Sequence, residues 1–374
     1  MNDIALTAEE ARAELEVPQA VLRRSGFAAA APLFSADLAS AGDLAEAARV
    51  VTSHGRRLWT EAVRQETADD RPLYWARLTL SARLRSWRPA FDLGDEERRS
   101  LLTRLEHASR GHEDLVFPPD DRLLRVIVTG FDPDRLDEDI RRSNPSGASA
   151  LALDGATFDI SGYTAVVRTA VFPVRWRDFS DGIVERTLFP QYTAPAAAVD
   201  AVITLGEGSK AEFGLDAYSG AWRGDAPDNE RHHAPGPIPI PGDLPPPFLR
   251  PQWSPSTLPR QAIVERAGGR FPIHQITEVT EIPAGHEAPV VRAQGPTSGS
   301  QARAGGNYFS NEIAYRNTRL RDATGRTIPA GHIHTPTLEL GAENPVALSC
   351  RPFERDRADI LDQLRAIIAV ALEG

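Results

Sequence analysis

The chain has 374 residues, 41% hydrophobic and 25% charged, enough for one large soluble domain or a smaller domain with an appendage. A formal net charge of −10 gives no general attraction to nucleic acid or an anionic membrane, and the single cysteine, Cys350, excludes an intrachain disulfide. No apolar run reaches the roughly 18 residues of a membrane span, and the opening MNDIALTAEEARAELE has neither a basic head nor an apolar core, so a cytoplasmic protein is expected.

The first 120 residues read as mainly helical, either a helical extension or an appended domain. Thr7 to Glu10 (TAEE) has the form of a helix start, with Thr7 as cap and acidic residues in the first turn. DLAEAARVVTSHGRRLWTEAVRQ, after Gly42, has apolar residues at helical spacing. LYWARLTLSARLRSW places Leu73, Ala76, Leu80 and Leu84 on one broad stripe, and Asp95 to Ala108 reads as a further helix. No nucleic-acid, metal or cofactor motif occurs here. Such helices can cap a cleft, pair two copies of the chain or recruit a protein partner.

A different pattern fills residues 121–374. LLRVIVTG, GYTAVVRTAVFPV and AVDAVITLGEG read as buried strands. RQAIVERAGGR reads as a helix ending at Gly268 or Gly269, and FPIHQIT as a short strand. NEIAYRNTRL reads as a helix, IPAGHIHTPT as strand then loop, and DRADILDQLRAIIAVALE as a long amphipathic helix. Strands alternating with helices predict a three-layer α/β sandwich around a mostly parallel sheet, with reactive groups at strand ends. Two stretches interrupt the order. RHHAPGPIPIPGDLPPPFLRPQWSP (231–255) resists regular helix and could rim an active site, and 278–304 reads as a long loop.

Ser310, in GGNYFSNEIAYRN, lies where a helix begins. It is either that helix's N-cap or a nucleophile at a glycine-supported turn, where helix-end N–H groups could hold an oxyanion. A serine nucleophile requires a base. GHIHTP offers His332 and His334, which share one face if extended. They could also begin a metal site, but spacing specifies no third ligand, and no metal or other cofactor is expected. An acid would orient the histidine. GEGSKAEFGLDAYSG offers Glu212 and Asp216, which also serve as ordinary loop solvation. GEGSK lacks the spacing of a phosphate loop and TGFDP that of a dinucleotide fingerprint. His232 and His233 read as surface residues, and Cys350 as a structural thiol.

Together, VIVTGFDP (126–133), NPSG (144–147), DAVITLGEG (200–208), APDN (226–229), STLP (256–259), GGNYFSNEIAYR (305–316) and AGHIHTP (330–336) resemble the pyroglutamyl peptidase I family of cysteine peptidases. The resemblance covers about residues 121–370. It implies a single α/β domain, a cytoplasmic setting, no metal, and a glutamate–cysteine–histidine triad. Ser310 takes the family's cysteine position and His334 that of its histidine. Asp216 is the best match to its acid, with one residue of spacing missing. Among substrate-binding positions, Phe131 is retained, Asp134 replaces an aromatic residue, and Asp225 replaces an arginine. The implied function is a serine-type amide hydrolase or acyl transferase acting on a small amide, peptide or ester. The alternative is an inactive relative that keeps the fold as a binding or scaffold protein.

Overall fold

The computed structural model describes residues 5–65, 67–120, 122–195, 198–242, 250–303, 308–341 and 344–373. Among these, the α-helices before the first strand are α1 (Ala8–Arg12), α2 (Glu16–Ser25), α3 (Ala30–Ala39), α4 (Leu44–Val63), α5 (Arg71–Ser86) and α6 (Asp95–Ala108). Thr7 caps α1 as its pattern predicts. Its Oγ accepts from Glu10 N at 3.1 Å, and Glu10 Oε2 accepts from Thr7 N at 3.0 Å. The stripe Leu73, Ala76, Leu80 and Leu84 is buried, but so are Trp75 and Leu78 on other faces, because α5 packs against α2, α3, α4 and α6.

The remainder runs β1 (Leu123–Phe131), α7 (Pro145–Leu153), β2 (Thr157–Ile160), β3 (Tyr163–Phe172), α8 (Trp176–Ser180), α9 (Ile183–Thr193), β4 (Ala201–Glu207) and β5 (Phe213–Asp216). Then come β6 (Tyr218–Gly220), β7 (Trp222–Arg223), β8 (Gly236–Pro237), β9 (Trp253–Pro255), α10 (Arg260–Arg266) and β10 (Ile273–Ile276). The chain continues through β11 (Val279–Ile282), β12 (Val290–Arg292), β13 (Gln301–Ala302), α11 (Phe309–Ala323), β14 (Ala330–Thr335) and α12 (Arg351–Glu373).

Seven strands form the central sheet in the order β10-β5-β14-β4-β1-β3-β2. Pairing is parallel through β3, β1, β4 and β14 and between β5 and β10. It is antiparallel at β14–β5 and β2–β3. The three-layer, mostly parallel expectation therefore holds. Val126 and Val128 of β1 pack with Ile360, Leu364 and Ile367 of α12, while Ile127 packs on the opposite face with residues of α9 and α11. Burial on both faces explains the unbroken apolar runs of these strands. Gly130 lets α7 approach β1, because a Cβ there would lie 2.3 Å from Ser146 O.

The N-terminal helices continue the layer begun by α7. They share a core with Ala150, Leu151, Val171, Leu136 and Leu348. Buried polar groups join the same surfaces. Asp132 Oδ1 accepts from Arg77 Nη2 at 2.6 Å, and Arg110 Nη1 forms an ion pair 2.7 Å from Asp132 Oδ2 without hydrogen-bond alignment. Asp70 accepts from Ser143 Oγ at 2.5 Å and from Asn144 N at 2.8 Å.

Two local expectations change. The expected loop 278–304 carries the small antiparallel sheet β12-β11-β13, as far as residue 303; residue 304 lies outside the described residues. Strands of two to four residues are too short to show periodicity. Helix α10 ends at Arg266, before Gly268 and Gly269. The proline-rich stretch contributes β8 and β9, with 243–249 outside the described residues. No helix among the described residues is long and apolar enough to cross a membrane.

Candidate active site

The carboxyl ends of β4 and β14, Asp216 at the end of β5 and the start of α11 meet at a cleft of about 790 Å³. Ser310 is the second residue of α11. Tyr308 takes the N-cap position without a side-chain cap bond, so the reading of Ser310 as the cap gives way to one within the first turn. The helix's first backbone hydrogen bond runs from Glu312 N to Tyr308 O at 3.4 Å. The N–H groups of Phe309, Ser310 and Asn311 thus precede the helical ladder. Asn311 clamps this end to β6 and β7. It accepts from Gly220 N at 2.8 Å and donates to Gly220 O and Trp222 O at 2.9 and 3.1 Å. The glycine-supported turn, Gly305 to Asn307, lies outside the described residues.

Gly206, in β4, makes room for the serine. A Cβ there would lie 2.3 Å from Ser310 Oγ and 3.0 Å from His332 Nε2. The serine hydroxyl and His332 therefore share the space in front of Gly206. Among the described residues, no hydrogen bond joins Ser310 to His334.

His334 pairs with Asp216. Its Nε2 lies 3.2 Å from Asp216 Oδ2. Burial pushes the Asp216 carboxyl up, but the charge and hydrogen bond of His334 outweigh this and hold it below its usual range. Burial lowers the His334 imidazole, and the Asp216 charge more than reverses that. Of the two acids left open by spacing, Glu212 also lines the cleft but pairs elsewhere, 3.2 Å from His274 Nε2 and 3.6 Å from Lys210 Nζ.

Strand register explains the grouping. In the antiparallel β14–β5 pair, Ile333 faces Leu215 and His334 faces Gly214. Continued by one residue, the register sets Asp216 opposite His332. His332 and His334 share a face, as expected two apart on a strand, with ring centroids 4.6 Å apart. One donor atom each from Asp216, His332 and His334 lies within 4.8 Å of the others.

The tautomer of His332 follows from Thr204. Thr204 Oγ1 lies 2.9 Å from His332 Nδ1 and 3.2 Å from Gly331 O. One hydroxyl proton satisfies both contacts only by going to Gly331 O while His332 Nδ1–H donates to the hydroxyl oxygen. Nε2 is then an unprotonated acceptor, fully buried and without a hydrogen-bond partner. Burial, assisted by His334, holds this imidazole neutral and depresses its pKa to about 3.

Asp134 lines the cleft, with Oδ1 unpaired. Burial, and then the neighbouring Glu207 charge, raise its pKa to about 6. Phe131, expected at the substrate, is buried in the core, its ring centroid 6.2 Å from Phe179 and 6.3 Å from Phe309, and is not among the residues that line the cleft. Asp225 lies elsewhere, pairing with His233 at the surface at 3.0 Å. Arg223 is buried below α11 and bound to Glu312, with Nη2 to Oε1 at 2.7 Å. Glu312 and Glu185 in turn hold Arg316. Sequence reasoning missed Arg12 at the cleft rim. It reaches from α1 to Asn229 O at 2.6 Å and Asp137 Oδ2 at 2.9 Å, contacts that span more than one hundred residues and leave no local pattern.

Comparison with known proteins gives two family matches. Residues 1–106 match the family described as PA0049 N-terminal domain, and residues 125–245 and 270–339 match PA0049, C-terminal domain. The uncharacterized protein PA0049 of Pseudomonas aeruginosa is 29% identical over 495 aligned positions, covering 98% of this chain and 89% of that protein. Two variants of pyrrolidone carboxyl peptidase from Pyrococcus furiosus are similar in fold. Their TM-scores are 0.45 and 0.46 and their identities 22% and 23%, over 66% of this chain and 98% of theirs.

Proposed function

This chain belongs to the PA0049 family, and from the geometry of its cleft we propose that it is a serine-dependent amide hydrolase or acyl transferase acting on a small amide, peptide or ester. The observation that carries this reading is the Asp216–His334 pair opening into the same cleft as Ser310, at the uncapped start of α11. Asp216 orients His334 and stabilises its protonated form. Acylation requires the Ser310 hydroxyl to reach His334, whose nitrogen not engaged by Asp216 accepts the proton. Ser310 Oγ bonds to the substrate carbonyl carbon, and first-turn N–H groups of α11 hold the resulting oxyanion. The tetrahedral intermediate collapses, and His334 returns the proton to the departing amine or alcohol. Water or another nucleophile then attacks the acyl-serine, giving its proton to His334, and Ser310 leaves with that proton. Asp134 faces the bound molecule and favours one that presents a hydrogen-bond donor.

The test is covalent capture. The metal-free protein is treated with a fluorophosphonate acyl-site probe and digested, and the adduct is located by mass spectrometry. An adduct on Ser310, lost in Ser310→Ala, is expected. No adduct, with the same probe labelling a reference serine hydrolase, sinks the proposal. That outcome would favour a second reading, a binding protein that keeps the cleft, for which the missing Ser310–His334 hydrogen bond among the described residues speaks.

A further inference from the structure

His332 has no part in the serine reaction described above, yet its placement is demanding. It is fully buried, its Nδ1–H is engaged by Thr204, and its Nε2 lone pair faces no donor. A buried acceptor without a partner leaves its desolvation uncompensated, so an atom held this way calls for a ligand. His334 and the carboxylate of Asp216 each place a donor atom within 4.8 Å of one on His332, brought to the same sheet face by the antiparallel β14–β5 register.

We propose that Asp216, His332 and His334 form a binding site for one divalent transition-metal ion of the zinc class, and that loading it switches off acylation at Ser310. Two imidazoles and one carboxylate are a donor set suited to borderline ions such as Zn²⁺ or Co²⁺ rather than to Mg²⁺ or Ca²⁺. Bond lengths of about 2.0–2.2 Å put donors about 3.4 Å apart around a four-coordinate ion. The three groups lie within 4.8 Å of one another, so side-chain movements of about 1 Å close them on the ion. Thr204 supplies the outer hydrogen bond that fixes the His332 tautomer for ligation through Nε2. Three protein donors would leave a fourth position for water or for Ser310 Oγ, which shares the space in front of Gly206 with His332. The inhibitory half rests on the serine reading. An ion bound to His334 and Asp216 removes the base and its orienting acid together.

The test uses the full chain, stripped with a chelator and dialysed against Zn²⁺ or Co²⁺. One equivalent of Zn²⁺ is expected by elemental analysis, with a visible Co²⁺ absorption band of low-symmetry coordination. Both His332→Gln and Asp216→Asn should weaken binding at least about tenfold, and Ser310→Ala should retain it. Near-ultraviolet circular dichroism checks that each variant is folded, and two ligand variants guard against loss of one to misfolding. Failure of the wild type to bind one equivalent, or undiminished binding by folded variants, overturns the site. Probe labelling of Ser310 is then compared with and without Zn²⁺. Suppression by stoichiometric Zn²⁺ supports the switch, and unchanged or faster labelling overturns it. No labelling even without metal overturns the serine reading, while the metal site stands or falls on dialysis alone.

Discussion

His334 and Asp216 lie 118 residues apart in the chain, and their side chains meet at 3.2 Å where β14 runs antiparallel to β5. The parallel sheet changes direction at this pair, and the reversal turns Asp216 back toward the histidines. Asp216→Asn keeps the shape but removes the charge and favours the wrong imidazole tautomer. Labelling of Ser310 by an acyl probe in metal-free protein is expected to slow by about 10²- to 10⁴-fold. A change below threefold would count against the triad.

Gly206→Ala tests the space shared by Ser310 and His332. The added methyl would stand 2.3 Å from Ser310 Oγ, so the serine side chain or α11 must move. Ser310 labelling is expected to be lost, with a stability cost of about 1–3 kcal/mol in chemical denaturation. Full labelling at wild-type stability would refute this placement.

Asp132→Ala removes the carboxylate that faces both Arg77 and Arg110. Uncompensated buried cations cost about 3–5 kcal/mol. Urea denaturation should show a loss of that order, against less than about 0.5 kcal/mol for a surface substitution such as Arg88→Ala.

Asp70 gives a pH signature. Burial raises its pKa from 3.8 to about 7, with the adjacent Asp69 charge adding to the rise. The folded state therefore binds more protons than the unfolded state between about pH 4 and pH 7. The Asp70 contribution is fully present below that window and is lost as pH rises through it. Asp70→Asn abolishes this loss, so its stability relative to wild type should increase between pH 5 and pH 8. About 4 kcal/mol over the whole window is an upper limit. A difference independent of pH, by urea unfolding at each pH, would contradict this.

Removal of residues 1–120 is expected to uncover the apolar surface formed by Ala150, Leu151, Val171 and Leu136. It also leaves Asp132, Arg175 and Asn229 without Arg77, Glu106 and Glu9. The truncated chain should aggregate or bind a hydrophobic dye. A soluble monomer with unchanged stability would show that the helices are independent.

Local sequence determined the elements whose signals are local. The TAEE cap, the Asp95–Ala108 helix, the apolar runs of β1, β3 and β4 and the amphipathic α12 are legible because capping, periodicity and two-sided burial leave their mark within a few residues. The shared face of His332 and His334 is legible too, since strand side chains alternate with period two. Only the tertiary structure decided between Asp216 and Glu212, set His332 beside Ser310, brought Arg12 to the cleft and sent Asp225 away from it. Each of those depends on strand register or on contacts between distant segments, and one residue of register reverses the face on which a side chain lies.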